Sequence, residues 1–322
     1  MSEQRISRRD VMGAAGLAAG ALLAGSRVCA VAGAQPSRTG GGGRFRYCLN
    51  TSTIRGQKLG LAREIDVTAE AGYDAIEPWV SSLQEHTRSG GTLSDIRKRI
   101  EDKGLTVESA ISFPRWIVDD DAVRAEAVEQ VKREMDLLAQ IGGKRIAAPP
   151  AGATGGAEID LLRAAERYRA LLELGDQTGV VPQVEVWGPS KNLHRLGQSM
   201  FVVIESGHPK ACLLPDVYHI FKGGSDFHGF KTISSRTIQV FHLNDYPANP
   251  PRETIRDGDR VMPGDGIAPM TQILRDLCDN DSEAVLSLEL FSQVYWDKDP
   301  LAVAREGLAK MKAAVHAAVS DG

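Results

Sequence analysis

The sequence predicts an α/β protein that closes into a single (β/α)8 barrel. Its 322 residues are enough for one such barrel, which typically needs about 250. From Phe45 onward, eight short β-rich runs alternate with amphipathic stretches of helical period. Strands that alternate with crossover helices pair in parallel. Eight such units close most naturally into a TIM barrel. An open doubly wound sheet has less support, because no G-x-G-x-x-G follows the first strand.

The predicted strands are short runs rich in β-branched and aromatic residues. In chain order they are Phe45–Thr53, Ala75–Val80, Thr106–Phe113, Arg145–Pro149, Val181–Trp187, Ala211–Val217, Thr237–Asn244 and Ala284–Phe291. In barrels of this kind, catalytic residues lie at the carboxyl ends of the strands. We therefore searched these ends for polar side chains.

Amphipathic helices are predicted between the strands and after the last one. They are Lys58–Ala71, Leu93–Lys103, Asp121–Ile141, Glu158–Thr178, Leu193–Ser206, Asp226–Ser235, Ala268–Asp279 and Pro300–Ala318. In the third helix, Val128, Val131 and Met135 recur at three- and four-residue steps. The glycines at 142–143 then supply a stop signal for this helix.

Composition and charge argue against several classes of function. Hydrophobic residues make up 42% of the chain and charged residues 25%, which is typical of a globular protein with a large core. The net charge of −4 and the scattered lysines and arginines provide no general basic face, so no nucleic-acid partner is expected. Beyond the N-terminal segment, no stretch approaches the roughly 20 apolar residues of a membrane span.

The N-terminal segment has the pattern of an export signal. Arg8 and Arg9 precede an uncharged run from Gly13 to Gly25, and small residues follow at 30–34. The paired arginines resemble a twin-arginine signal. We expect residues 1–34 to direct export to the periplasm and residues 35–44 to form a Gly-rich linker, with residues 45–322 as the catalytic barrel. The alternative is that the signal stays uncleaved as an anchor.

Four consecutive predicted strands each carry a metal-capable side chain at the same depth. These residues are Glu185, Asp216, His242 and Glu289. One of them alone would be interpreted as a buried ion pair or a core histidine, but charged groups in apolar strands are costly and four coincide here. We therefore predict one divalent metal ion on this set. Because the ligands are mainly oxygens, with no thiolate, we expect Mn²⁺ first, then Mg²⁺, Co²⁺ or Zn²⁺.

These residues resemble the xylose isomerase-like TIM-barrel superfamily, and particularly its sugar isomerase/epimerase branch, which includes enzymes similar to tagatose/psicose 3-epimerase. The resemblance covers essentially all of residues 45–318. The matching motifs are Gly72-Tyr73-Asp74-Ala75-Ile76-Glu77, Leu214-Pro215-Asp216-Val217-Tyr218-His219-Ile220, Val240-Phe241-His242-Leu243-Asn244-Asp245 and Asp259-Arg260-Val261-Met262-Pro263-Gly264-Asp265-Gly266.

The resemblance implies proton transfer on an open-chain carbohydrate. The metal would chelate a carbonyl and an adjacent hydroxyl and so acidify the C–H between them. One of Glu185 and Glu289 would remove that proton to give a metal-stabilised enediolate, and the other would return a proton. His219 and Arg260 would hydrogen-bond substrate oxygens, and Glu77 is a further candidate substrate contact. Glu77 and Arg260 have plainer interpretations as ion-pair partners.

The expected substrate is a non-phosphorylated small carbohydrate, because no phosphate-cradling glycine loop precedes a helix. The sequence is compatible with a homo-oligomer, either a dimer or a tetramer. Trp187 stands two residues after Glu185, where many relatives carry a polar residue, so the identity of the substrate does not carry over. Aromatic faces near strand ends, at Trp79, Phe113, Trp116, Trp187 and Trp296, would pack either on a sugar or on the protein itself.

Two rival functions share the fold. Proton removal beside a carbonyl also begins a β-elimination, so the chain would then be a metal-dependent keto-sugar lyase or a glycoside-cleaving enzyme. A non-catalytic carbohydrate-binding barrel has less support, because both Glu185 and Glu289 are present. An endonuclease of related fold would need a three-zinc cluster with more histidine ligands than His219 and His242.

Overall fold

The computed structural model describes residues 45–320 and contains eight parallel strands. They are β1 (Arg46–Asn50), β2 (Ala75–Glu77), β3 (Thr106–Val107), β4 (Arg145–Ala148), β5 (Val181–Glu185), β6 (Leu213–Leu214), β7 (Val240–Leu243) and β8 (Val285–Leu288). The strands form two sheet segments, ordered β3-β2-β1-β8-β7 and β4-β5-β6. The first and last strands, β1 and β8, pair with each other, as a closed barrel requires.

Further backbone contacts join the two segments into a ring. Between β3 and β4, Ala110 donates to the carbonyl of Arg145 at 3.1 Å and accepts from the amide of Ala147 at 2.9 Å. Between β6 and β7, Asp216 forms a parallel bridge with His242. The predicted (β/α)8 barrel is thus confirmed, and the second junction places two predicted metal ligands side by side.

Helices follow the strands around the barrel. They are α1 (Leu61–Ala71), α2 (Val80–Arg88), α3 (Leu93–Asp102), α4 (Asp121–Gln140), α5 (Leu161–Thr178), α6 (Leu196–Glu205), α7 (Val217–Gly223), α8 (Met270–Asp279), α9 (Gln293–Trp296) and α10 (Pro300–Ser320). Short 3-10 helices lie at Thr51–Gln57, Phe227–Thr232, Ser235–Thr237 and Asp257–Asp259. Helices α2 and α9 are additional to the predicted ones.

The connection from β6 to β7 differs from the prediction. The expected helix Asp226–Ser235 is replaced by two 3-10 helices, and the α-helix of this connection, α7, begins earlier, at Val217. Asp216 starts α7 because its Oδ1 accepts a hydrogen bond from the backbone amide of His219 at 2.7 Å. His219 therefore lies in the first turn of a helix that begins at the site.

The interior of the barrel is filled by a compact apolar layer. It consists of Cys48, Ala75, Ile111, Ala147, Leu214, Val240 and Val285, and Trp79 packs against it. A larger apolar cluster lies between the strands and the surrounding helices. Because this apolar layer fills the barrel, a substrate has room only at its ends.

The predicted signal (residues 1–34) and the predicted linker (residues 35–44) lie outside the described residues. The expected export to the periplasm therefore stays a prediction. Within residues 45–320, no helix combines the length and the apolar character that crossing a bilayer requires.

Candidate metal centre and active site

Three of the four predicted metal ligands come together at the carboxyl end of the barrel. Asp216 follows β6, His242 lies in β7 and Glu289 follows β8. One ligand atom from each of these residues lies within 4.8 Å of the other two, and all three side chains are buried. This cluster is the candidate metal centre. Glu185, the last residue of β5, is not among these three but interacts with them electrostatically.

Glu185 has an environment that favours its protonated form. Its pKa is raised to about 8 because the carboxyl group is buried; the charges of Glu289 and Asp216 raise it further, while that of His242 acts in the opposite direction. The residue as a whole is 6% exposed. It is the candidate proton-transfer group with the pKa nearest to neutral.

Glu289 lies in the opposite kind of environment. Its Oε1 accepts a hydrogen bond from Nδ2 of Asn50 at 3.0 Å, and its Oε2 accepts one from Nη1 of Arg260 at 2.7 Å. Burial opposes ionisation of this carboxyl group, but the charges of His242 and Arg260 outweigh burial and hold its pKa below the ordinary value. Glu289 is therefore an anchored carboxylate.

His242 directs one ring nitrogen toward the candidate metal centre. Its Nε2 lies 3.1 Å from Oε2 of Glu77, on the other side of the ring. Its Nδ1 lies 3.3 Å from Oε2 of Glu289 and 3.8 Å from Oδ2 of Asp216, yet makes no hydrogen bond. A buried ring nitrogen that faces two carboxylates without a hydrogen bond fits a metal ligand.

Glu77 is fully buried and contacts Nε2 of His242, the ring nitrogen that faces away from the candidate metal centre. Its Oε2 also accepts hydrogen bonds from Nδ2 of Asn50 at 3.1 Å and from Oγ of Ser287 at 2.6 Å. The sequence suggested Glu77 as a substrate contact or an ion-pair partner, and the structure places it on the histidine. A carboxylate on the far nitrogen of a histidine ligand fixes its ring orientation and raises its basicity.

Arg260 is buried among the acidic groups. Its Nη1 donates to Oδ2 of Asp216 at 2.9 Å and to Oε2 of Glu289 at 2.7 Å, and its Nη2 donates to Oδ1 of Asp257 at 2.6 Å. Only 1% of the residue is exposed, so it is not a surface ion pair. Its guanidinium already bridges two oxygens of the candidate metal centre, which shows that this pair of carboxylates attracts a cation.

His219 contacts Arg260 from the start of α7. Its Nε2 lies 3.1 Å from Nη2 of Arg260, which can only donate, so this nitrogen is the acceptor and Nδ1 carries the proton. Burial, together with the charge of Arg260, outweighs the charge of Asp216 and lowers the pKa of His219 to about 4. The imidazole is therefore neutral, and its buried Nδ1–H is left without a partner.

Two further residues organise the site and were not singled out from the sequence. Asn50, at the end of β1, donates to both Glu77 and Glu289. Asp245 accepts hydrogen bonds from four backbone amides of the loop that carries Arg260, at distances of 2.8–3.1 Å; the donors are Tyr246, Gly264, Gly266 and Ala268. Asn50 and Asp245 are both polar residues at the end of an apolar strand, and this sequence pattern could have identified them.

Comparison with known proteins gives consistent matches. A family model described as xylose isomerase-like TIM barrel matches residues 65–314. An inosose isomerase of Bacillus licheniformis is 25% identical over 260 residues, which cover 78% of this chain and 91% of that protein.

Solved structures share the fold at low sequence identity. The crystal structure of an IolI protein with a bound zinc atom has a TM-score of 0.80 at 20% identity, covering 85% of this chain and 99% of that one. An L-ribulose 3-epimerase has a TM-score of 0.70 at 19% identity, covering 86% and 96%. These structural likenesses show the fold.

Proposed function

The chain belongs to the xylose isomerase-like TIM-barrel family, and from that premise we propose that it is a divalent-metal-dependent isomerase or epimerase. The proposed reaction moves a proton on a non-phosphorylated polyhydroxy ketone, either a sugar or a cyclic relative such as the inosose named for its relatives. One observation carries the proposal. The buried trio of Asp216, His242 and Glu289 stands beside Glu185, a second carboxyl group with an opposite pKa shift.

The residues present fit a divalent cation. Asp216 and Glu289 offer carboxylate oxygens, His242 offers its unpaired Nδ1, and Glu185 would be the fourth ligand. When bound, the cation would polarise a substrate carbonyl and an adjacent hydroxyl, acidifying the C–H between them. Mn²⁺ is our first choice because three of the four ligands are carboxylates. Zn²⁺ is the second choice, since a similar structure holds zinc.

Two glutamates share the proton transfer: one removes a proton from the substrate and the other returns a proton to it. Glu289, which Asn50 and Arg260 anchor and whose lowered pKa keeps it ionised, removes the proton from the substrate carbon. Glu185, whose pKa is raised to about 8 and which therefore holds a proton, returns a proton on the opposite face for epimerisation or at the neighbouring carbon for isomerisation. An enediolate separates the two steps, and two carboxyl groups suffice for this acid–base work.

His219 and Arg260 would hold the substrate oxygens. Nδ1 of His219 carries a proton and Nε of Arg260 is a donor, and both atoms are buried without a hydrogen-bond partner. Donors aimed at an oxygen that gains negative charge stabilise the transition state more than the ground state. We infer that these two atoms donate to the enediolate oxygens.

The test is metal-dependent proton exchange. The mature protein is loaded with Mn²⁺ or Zn²⁺ and incubated in D₂O with a panel of ketoses, aldoses and inososes, and deuterium in the sugar carbons is measured by NMR. We expect about one divalent ion per chain and deuterium at a single carbon. The absence of exchange on every sugar, from protein shown to contain metal, would refute the proposal.

The same experiment addresses the rival lyase. β-Elimination starts with the same proton removal, but it releases a leaving group and forms a conjugated enone, which absorbs in the ultraviolet. Release of water or an alcohol with growth of that band would assign the chain to the lyase reaction. Binding of sugars with neither outcome would assign it to carbohydrate binding.

A further inference from the structure

Four aromatic side chains form a continuous arc at the carboxyl end of the barrel. The aromatic arc consists of Phe291, Trp79, Phe113 and Trp187. The centroid of the Trp79 ring lies 6.2 Å from that of Phe291 and 5.3 Å from that of Phe113, which in turn lies 5.8 Å from that of Trp187. These residues follow β8, β2, β3 and β5, so four separate strands contribute to one surface.

Both ends of the aromatic arc contact the polar site. The Trp187 ring lies 6.3 Å from the ring of His219, and the guanidinium carbon of Arg260 lies 5.0 Å from the ring of Phe291. His219 and Arg260 are the two residues that we assign to substrate oxygens. A substrate held by them therefore lies next to the arc, and any substituent on that side would contact aromatic faces.

The arc stays partly exposed, although exposure of aromatic carbon is unfavourable. Phe113 is 39% exposed, and the other three rings are half-buried. Nε1 of Trp79 is buried without a hydrogen-bond partner, while the guanidinium of Arg55 stacks 3.8 Å from its ring centroid. A contiguous apolar patch that contains one unpaired donor has the composition of a ligand site.

We propose that the aromatic arc is a subsite for a flat apolar ring attached to the sugar, so that the preferred substrate is an aryl glycoside whose sugar ring carries a keto group, and not a free monosaccharide. The placement of the sugar portion rests on the proposed function. Aromatic rings pair with other aromatic rings at centroid distances of about 4.5–7 Å, the spacing found within the arc. Nε1–H of Trp79 is buried without a hydrogen-bond partner, and an ether or phenolic oxygen of the ligand would satisfy it.

A second sugar ring fits the arc less well. Its hydroxyl groups would leave water and meet aromatic carbon, with Nε1 of Trp79 as the unpaired donor that the arc offers. Buried hydroxyls without partners cost more free energy than the apolar contact returns. An aromatic ring carries no such penalty, and it covers the exposed part of Phe113.

The test compares two glycosides that differ in one group. Phenyl β-D-glucopyranoside and methyl β-D-glucopyranoside are titrated into the metal-loaded protein by isothermal calorimetry. We expect the phenyl compound to bind at least about tenfold more tightly, because burying its phenyl ring removes about as much apolar surface from water as burying a Phe side chain. Trp187→Ala and Phe113→Ala should each reduce that ratio to about threefold or less.

Phe201→Ala is the matched control, since Phe201 lies on α6 and is 37% exposed, close to the exposure of Phe113. It should leave the ratio unchanged. Saturation-transfer NMR on the wild type adds a measurement that needs no variant, and it should show stronger saturation of the phenyl protons than of the sugar protons. Equal affinities, or no binding of the phenyl compound at millimolar concentration, would overturn the inference.

The two proposals fail separately. A phenyl preference in a protein that exchanges no sugar proton would keep the subsite and remove the proposed isomerase reaction. Proton exchange on free ketoses, combined with equal binding of the two glycosides, would keep the reaction and remove the subsite.

Discussion

Each end of the barrel holds charged side chains around buried carboxyl groups, and the charges are balanced in opposite ways at the two ends. At the amino end, the carboxylate of Glu108 accepts from Arg46 at 2.6 Å and from Lys144 at 2.8 Å, with Arg145 at 3.4 Å. Burial opposes its ionisation, but Lys144, Thr106 and Arg46 outweigh burial and lower the pKa of Glu108 to about 2. This carboxylate is fully paired.

At the carboxyl end, the carboxyl groups of Glu185, Asp216 and Glu289 share two cationic partners, His242 and Arg260. Buried polar atoms without a hydrogen bond accumulate there; they are Oε1 of Glu77, Nδ1 of His219, Nδ1 of His242 and Nε of Arg260. Each such atom costs roughly 1–3 kcal/mol of folding free energy. The amino end therefore stabilises the barrel, while the carboxyl end has the arrangement expected of a functional site.

The largest expected effect is on catalysis at the carboxyl end. Glu289→Gln removes a proton carrier, so deuterium exchange should fall by about 10²–10⁴-fold. It also removes the charge that pairs with His242 and Arg260, so the Tm of the metal-free variant should fall, but by less than that of Glu108→Gln, because repulsion with Glu185 is relieved at the same time. NMR exchange and thermal unfolding in chelator measure the two effects. A Tm loss as large as that of Glu108→Gln would break the contrast between the ends.

The next largest effect is on stability at the amino end. Glu108→Gln removes a carboxylate whose pKa is about 2 in place of 4.5, so unfolding should cost about 3 kcal/mol less at pH 7. Deuterium exchange per folded molecule should not change. Denaturant unfolding at several pH values measures the loss.

The pH dependence follows from the lowered pKa of Glu108. The stabilisation is fully present above about pH 4.5 and disappears as the pH falls toward 2, so wild type and variant should converge in acid. Glu101→Gln is the control, because Glu101 pairs with Arg97 on the exposed face of α3. Its loss should stay below about 0.5 kcal/mol. A constant difference between Glu108→Gln and wild type across this pH range would contradict the assignment.

Residues at the strand ends can be predicted from the sequence, whereas the contacts between strands at the carboxyl end cannot. Strand ends follow from local periodicity, so the sequence alone predicts that Glu185, Asp216, His242 and Glu289 lie at the same end of the barrel. Pairings across the barrel have no local signature: Glu77 and His242 are 165 positions apart, and Asn50 and Glu289 are 239 apart. The early start of α7 does not follow from the predicted role of Asp216 as a ligand, because the same side chain also caps the helix.

A moderate effect on metal affinity is expected for Glu77→Gln. The amide cannot supply the negative charge that orients His242 and raises its basicity, so affinity for Mn²⁺ or Zn²⁺ should fall about 10–100-fold. Competition with a metal-binding dye measures this change. Unchanged metal affinity with a raised KM would instead make Glu77 the substrate contact that the sequence first suggested.

The smallest effect is expected for Arg260. Its guanidinium pairs with carboxylates at the carboxyl end, as Arg46 and Lys144 do at the amino end. Its Nη1 contacts one oxygen each of Asp216 and Glu289, so it competes with a divalent cation for these two atoms. Arg260→Gln should therefore raise metal affinity by about threefold to tenfold, since a competing nearby positive charge is lost. Exchange activity should fall, because a donor to substrate oxygens is lost as well.

Isothermal titration with Mn²⁺ measures the affinity. Arg256→Gln is the control, because it removes the same charge from an exposed position of the same loop and should change affinity less than twofold. If Arg260→Gln weakened metal binding, Arg260 would hold its two carboxylates in place for the metal ion. The arginine would then pair with acids as Arg46 and Lys144 pair with Glu108, and competition between the guanidinium and the metal would be excluded.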